Sequence, residues 1–165
     1  MRLKTRGDGK ARNFKSIGKN VVIEPSVVVI EADHIEIGDN VYIGHNTILN
    51  GYYKNEFVIG SNVFISAGCN IYGSCGVTIE DDVGIGPGVV IFGSSHDLES
   101  KLINHGALVH RPIHIGRGSD IGAGATIIGG KIGSYTQVGA GALVNKDLAE
   151  NIIAVGVPAR KLRDR

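Results

Sequence analysis

The chain of 165 residues contains no tryptophan, one methionine and only eight leucines, against 39 isoleucines and valines together. That imbalance excludes a helical bundle or coiled coil, because branched side chains crowd a helix and suit a pleated strand. No run of about 18 apolar residues occurs, which excludes a membrane-spanning helix. The opening Met1-Arg2-Leu3-Lys4-Thr5-Arg6 leads into no apolar stretch, so no secretory leader is expected. Two cysteines, Cys69 and Cys75, are too few for a disulfide framework and suit a reducing cytoplasm. Net charge is only +1, which gives no general attraction for nucleic acid. The basic residues are nevertheless uneven. Seven, from Arg2 to Lys19, fall in the first 20 positions, and Arg160, Lys161, Arg163 and Arg165 close the chain. Residues 1–16 read as a solvated basic arm.

Glycine is abundant: 25 residues, roughly twice the usual share of ~7 %. It falls in a pattern. Large aliphatics recur every sixth residue within successive triplets: Ile17, Ile23, Val29, after a shift of two Ile37, Ile43, Leu49, then in a new frame each time Ile59, Ile65, Ile71 and Ile79, Ile85, Ile91. After an interruption come Ile115, Ile121, Ile127 and Ile132, Val138, Val144. Glycine directly follows many of these, as at Gly18, Gly38, Gly44, Gly60, Gly86, Gly116, Gly122, Gly133 and Gly139, and never follows the third of a triplet.

This period predicts an all-β parallel β-helix over residues 17–157. Each hexapeptide supplies a short strand and a corner, and three make one triangular coil. The large aliphatic points inward and stacks on its equivalent in the next coil. The residue four later shares the narrow interior and must be small or branched, as at Val21, Val41, Thr47, Val63, Val83, Ala125, Thr136 and Ala142. Cys69 and Cys75 take this inward position on successive faces, which makes them buried structural side chains rather than a disulfide or metal pair. Six coils at the inter-strand spacing of ~4.8 Å make a prism roughly 25–30 Å tall.

Three segments break the period. Gly51–Val58 is a short polar-aromatic excursion. Residues 93–112 form one long protruding loop, of a length that usually serves function. After Val144 the chain leaves the repeat at Lys146–Asn151, and Pro158 is expected to open a short C-terminal helix over 158–165 that caps the prism end.

His96 stands at the root of the long loop, between Ser95 and Asp97. A neutral imidazole there suits taking a proton from an alcohol. His110 and His114 flank the return of the loop, but no third ligand in a neighbouring coil completes a zinc triad, so no metal is expected. No Walker A loop, strand–GxGxxG–helix unit or CxxC occurs. The runs Gly122-Ala123-Gly124-Ala125 and Gly139-Ala140-Gly141-Ala142 lie inside the period and read as corners. Their small side chains leave a smooth wall that a thin ligand can approach closely.

The hexapeptide repeats, the loop opening with His96, Pro112-Ile113-His114-Ile115-Gly116, and the ending Val144-Asn145-Lys146-Asp147 with Gly156-Val157-Pro158-Ala159-Arg160 resemble the hexapeptide-repeat acyltransferases, in particular the maltose and galactoside O-acetyltransferases and the sugar acetyltransferases of surface-polysaccharide synthesis. The resemblance covers about residues 17–163. It implies a left-handed β-helix, a cytoplasmic homotrimer, and acetyl-CoA as acyl donor bound between neighbouring prisms. It implies His96 as general base, Ala123 and Ala140 along the pantetheine arm, and the Ala123 N–H toward the thioester oxygen. Asn145 and Lys146 match the cofactor's nucleotide end, and Arg160 and Arg163 its phosphates. Ser66 stands where those enzymes carry an acceptor-binding Asn, and Asp97 where they often carry Pro, so these two are candidate substrate contacts. The basic arm replaces a helical segment with an acidic acceptor contact, so acceptor identity does not carry over. The expected activity is O-acetylation of a sugar or polysaccharide precursor. The alternatives are N-acetylation of a nucleotide-linked amino sugar, a carbonic-anhydrase-like enzyme and a non-catalytic scaffold.

Overall fold

The computed structural model describes residues 13–52, 54–97 and 107–165. Arg2 to Arg12 of the basic arm and residues 98–106 of the long loop, His105 among them, lie outside the described residues. Short strands of two to four residues stack into three parallel sheets that close a triangular prism. The first face carries Ser16–Ile17, Ile35–Ile37, Phe57–Ile59, Val77–Ile79, Ile113–Ile115 and Gly130–Ile132. The second carries Val22–Ile23, Tyr42–Ile43, Phe64–Ile65, Gly84–Ile85, Asp120–Ile121, Gln137–Val138 and Ile152–Val155. The third carries Val28–Ile30, Ile48–Asn50, Asn70–Tyr72, Val90–Ile91, Thr126–Ile127 and Leu143–Val144.

The register follows the six-residue period. Ile17, Ile37, Ile59, Ile79, Ile115 and Ile132 pair in sequence along the first face. Ile23, Ile43, Ile65, Ile85, Ile121 and Val138 do so on the second. Val29, Leu49, Ile71, Ile91, Ile127 and Val144 do so on the third. All are buried except Ile17 and Val29 in the outermost coil. The small inward positions are buried too, and the polar ones are satisfied. Thr47 donates to the Ser66 carbonyl at 3.0 Å, Thr136 to that of Ala149 at 2.7 Å, and Ser119, a member the sequence pattern left out, to that of Gly133 at 3.0 Å. Asn20, Asn40, Asn62 and Asp82 hold left-handed corner conformations and hydrogen-bond to one another as a ladder.

Cys69 and Cys75 are free, buried thiols, and burial pushes both above the usual thiol range. Since the thiolate is the reactive form, both are expected to resist an aromatic disulfide reagent in the native protein and to react at once in denaturant. Fast titration of either thiol in the folded state would contradict this burial.

Four departures from the sequence reading have physical causes. The excursion after Gly51 is shorter than expected, because Phe57 and Val58 already belong to a strand and Phe57 fills the core. The long loop is not structureless at its base: Ser94–His96 pairs antiparallel with Leu108–His110 and so satisfies its own backbone. The chain stays with the solenoid after Lys146. Leu148 bridges to Ile132, and Ile152–Val155 extends the second face with Ala154 inward over Val138. Finally, the C-terminal segment is a strand rather than a helix. After a turn at residues 156–159, Arg160–Asp164 pairs antiparallel with Ile152–Val155. The exposed sheet edge requires backbone partners, and that requirement outweighs the helix propensity of Lys161, Leu162 and Arg163.

Candidate active site

The candidate residues sort onto two edges of the prism. The edge between the second and third faces is a stack of corners: Ser66-Ala67-Gly68, Gly86-Pro87-Gly88, Gly122-Ala123-Gly124 and Gly139-Ala140-Gly141. Corner-to-corner hydrogen bonds bind the stack, with Gly88, Gly124 and Gly141 donating to the carbonyls of Ala67, Pro87 and Ala123 at 2.8–2.9 Å. Nothing lies within 4 Å of where a Cβ would stand at Gly88, Gly124 or Gly141. The glycine column of this wall is therefore bare backbone beside the small side chains of Ala67, Pro87, Ala123 and Ala140, and the N–H groups of Ala123 and Ala140 donate no hydrogen bond among the described residues. Arg160 and Arg163 are exposed on the terminal strand beyond this stack.

The edge between the third and first faces carries the ribbon. The chain leaves the third face after Phe92 and re-enters the first at Ile113, and Arg111 N–H closes the root on the Gly93 carbonyl at 2.6 Å. His96 is exposed at the end of the first ribbon strand, cross-strand from Leu108. Ser94 and His110 form the neighbouring pair on the same side of the ribbon. Ser94 Oγ lies 3.2 Å from His110 Nδ1 and 2.8 Å from Ser74 Oγ, which ties the ribbon to the preceding coil. Asp97 follows His96, and its N–H donates to the Ala107 carbonyl at 2.9 Å.

Below the ribbon on this edge is a cavity of about 630 Å³, lined by His110, Arg111, Gly129, Gly130, Asn145, Lys146 and neighbours. Asn145 Oδ1 is itself buried, without a hydrogen-bond partner among the described residues. His114 does not face this cavity's chemistry: its Nε2 lies 2.9 Å from Glu80 on the outer side of the first face. Among the described residues no group of three or more His, Cys, Asp or Glu could hold a metal ion.

The structure thus brings Ser66, Ala123 and Ala140 onto one edge. It brings His96, Asp97, Asn145 and Lys146 onto another, with the third face between them. Sequence reasoning missed Ser94 and His110 as supports of the ribbon. The signal available was the polar Ser-x-His spacing on one side and His-Arg-Pro on the other, which fits an antiparallel pair.

The third face is unusually apolar on its outside. Val28, Ile30, Tyr72 and Phe92 stand 50 %, 45 %, 37 % and 38 % exposed, a patch of the kind that marks an association surface.

The chain is 32 % identical over 153 residues to the galactoside O-acetyltransferase of Escherichia coli, covering 92 % of the chain and 64 % of that relative. Among solved structures it is similar to AntD, an N-acyltransferase from Bacillus cereus bound to dTDP and coenzyme A, with a TM-score of 0.84, 29 % identity, and 92 % of this chain and 84 % of that one covered. It is also similar to a galactoside acetyltransferase in complex with coenzyme A, with a TM-score of 0.66, 31 % identity, and 92 % and 65 % covered. The chain spans a little under two thirds of the length of the curated relatives it matches first. No family model matches it. The coil is left-handed, as in these neighbours.

Proposed function

We propose, from its similarity to galactoside O-acetyltransferase and to the coenzyme A-bound acyltransferases, that the chain is a hexapeptide-repeat acyltransferase that transfers an acetyl group from acetyl-CoA to a hydroxyl of a sugar or polysaccharide precursor, with His96 as general base. The observation that carries this reading is the division of the matched positions over two edges. A corner stack with free N–H groups and a histidine ribbon above a cationic cavity cannot close on one ligand within one prism. They can do so when the second–third edge of one copy faces the third–first edge of the next. The exposed apolar third face supports that homotrimeric association.

In this arrangement the pantetheine arm runs along Ala123 and Ala140, whose small side chains and glycine neighbours admit a thin chain. Arg160 and Arg163 carry forked guanidinium donors toward the cofactor's phosphates. Asn145 and Lys146 lie toward the nucleotide end, where Lys146 adds positive charge. His96 removes the proton from the acceptor hydroxyl as its oxygen attacks the thioester carbonyl. The Ala123 N–H receives the developing oxyanion. Collapse expels the coenzyme A thiolate, which takes the proton back from the imidazolium, leaving the acetyl ester and free thiol. Ser66 and Asp97 are candidate acceptor contacts.

Release of free thiol from acetyl-CoA, assayed against sugars, nucleotide sugars and amino acids, tests the reading. No release with any acceptor would refute it. Arg160→Ala and Arg163→Ala are each expected to raise the KM for acetyl-CoA by about tenfold, the worth of one charge-assisted hydrogen bond at an exposed site, with little change in kcat. An unchanged donor KM in both would remove the arginines from the site.

A second reading keeps the fold and changes the nucleophile. The structural match to AntD is closer than to the galactoside enzyme, and AntD has been seen with a dTDP-linked 4-amino sugar. An amine acceptor on a nucleotide sugar is therefore the alternative.

A further inference from the structure

The outward row of the second face runs Val22, Tyr42, Phe64, Gly84, Asp120, Gln137. Tyr42 and Phe64 stack with ring centroids 4.9 Å apart and planes 11° from parallel. Tyr42 is held from behind: its hydroxyl donates to Glu24 at 3.2 Å, and Glu24 lies 3.4 Å from His45 Nε2. The next position in the ladder is empty, because it is Gly84. This glycine has no positive φ, so the backbone does not require it. A Cβ there would meet only the flexible end of Asp120, with Oδ1 at 3.0 Å. Asp120 leans over the gap, and among the described residues its carboxylate makes no hydrogen bond or ion pair. A glycine inside a strand weakens the strand and often marks the close approach of a ligand.

These features form a slot on the second face. Phe64, 52 % exposed, is one wall, Gly84 the floor and Asp120 the other wall. The strands that carry the two walls lie two strand spacings apart, about 9.6 Å, and the Asp120 carboxylate reaches back over Gly84 from the far one. Two residues along from these positions the chain turns into the corner stack, at Ser66, Gly86 and Gly122-Ala123. The slot therefore opens beside the corner whose N–H was assigned to the thioester oxygen.

We propose that this slot seats the sugar ring of the acceptor, with its C–H face on Phe64 over Gly84 and a ring hydroxyl donating to Asp120. An aromatic plane opposite a lone carboxylate suits a pyranose, which has an apolar face and hydroxyl donors at its rim. The inference rests on the acyltransfer reading for the identity of the site and adds the residues that select its acceptor. It also assigns a substrate class by shape: the ring being acylated is flat enough to fill one missing rung of a side-chain ladder.

Gly84→Val is the decisive variant. Valine suits a strand with ordinary φ, so the fold is retained, and the side chain fills the gap. Saturation-transfer NMR with the methyl glycosides of glucose, galactose and N-acetylglucosamine, without acetyl-CoA, is expected to show transfer to the ring C–H protons of at least one. Gly84→Val should abolish that transfer. With any acceptor that turns over, Gly84→Val and Asp120→Asn should each raise the acceptor KM at least about tenfold, leaving the KM for acetyl-CoA unchanged. Because the NMR experiment needs no turnover, it separates failure of the slot from failure of the acyltransfer reading. The proposal is overturned if no glycoside receives saturation, if Gly84→Val binds as the native protein does, or if free dTDP occupies the slot instead.

Discussion

His96→Ala is expected to lower kcat for a hydroxyl acceptor by about 10²–10⁴-fold, the usual contribution of a positioned general base. A hydroxyl is almost wholly protonated near neutral pH, so its oxygen attacks a thioester only if something removes the proton during attack. The substitution should do little else. His96 is exposed, and the ribbon that carries it is held by backbone pairing to Leu108–His110 and by the Ser94–Ser74 contact. The KM for acetyl-CoA and the thermal midpoint should therefore stay near native values. Steady-state thiol release measures the first and scanning calorimetry the second. The result also separates the two acceptor chemistries, because an amine that is already deprotonated by its own equilibrium needs far less help. A drop of less than about tenfold with the best acceptor would remove His96 from the role of base for a hydroxyl.

The solenoid was legible because its physics is periodic. A column of inward aliphatics must repeat at the strand spacing, so a six-residue recurrence such as Ile17, Ile23 and Val29 sets the register within its own coil, and each later triplet, from Ile37, Ile59, Ile79, Ile115 and Ile132, resets it after a corner of different length. The failures lie where periodicity stops. The terminal strand carries Lys161, Leu162 and Arg163, which favour a helix locally, and only the unpaired edge of Ile152–Val155 makes them extended. Phe57 was read as part of an excursion because the preceding corner is longer than its equivalents, which shifts the count by two. Of the candidate site, the matched residue types were readable in order. Their distribution over two edges was not, because adjacency across a prism depends on which corner each coil begins from. Gly84 had a readable signal: in its outward column every other member from Val22 to Gln137 has a side chain.

Gly122→Val is expected to destabilise the protein by more than about 3 kcal/mol and to abolish coenzyme A binding, the opposite of the tolerance expected at Gly84. Neither residue is shown with positive φ, so conformation does not distinguish them. Space does. A Cβ on Gly122 would stand 2.5 Å from the backbone nitrogen of Ala140 and 2.7 Å from the Val138 carbonyl oxygen. Those atoms belong to the next coil and cannot rotate away as the Asp120 carboxylate can. Relief requires the fifth and sixth coils to separate at this corner, which lengthens the bond from Gly122 N–H to Val138, now 2.7 Å, and that from Gly141 N–H to Ala123, now 2.8 Å. The same movement displaces Ala123 from Ala140, the two corners assigned to the pantetheine arm. Chemical denaturation and titration calorimetry with coenzyme A measure the two effects, and they should fall together. A Gly122→Val protein of native stability that still binds coenzyme A would show that the close stacking of these corners matters neither to the fold nor to the donor track.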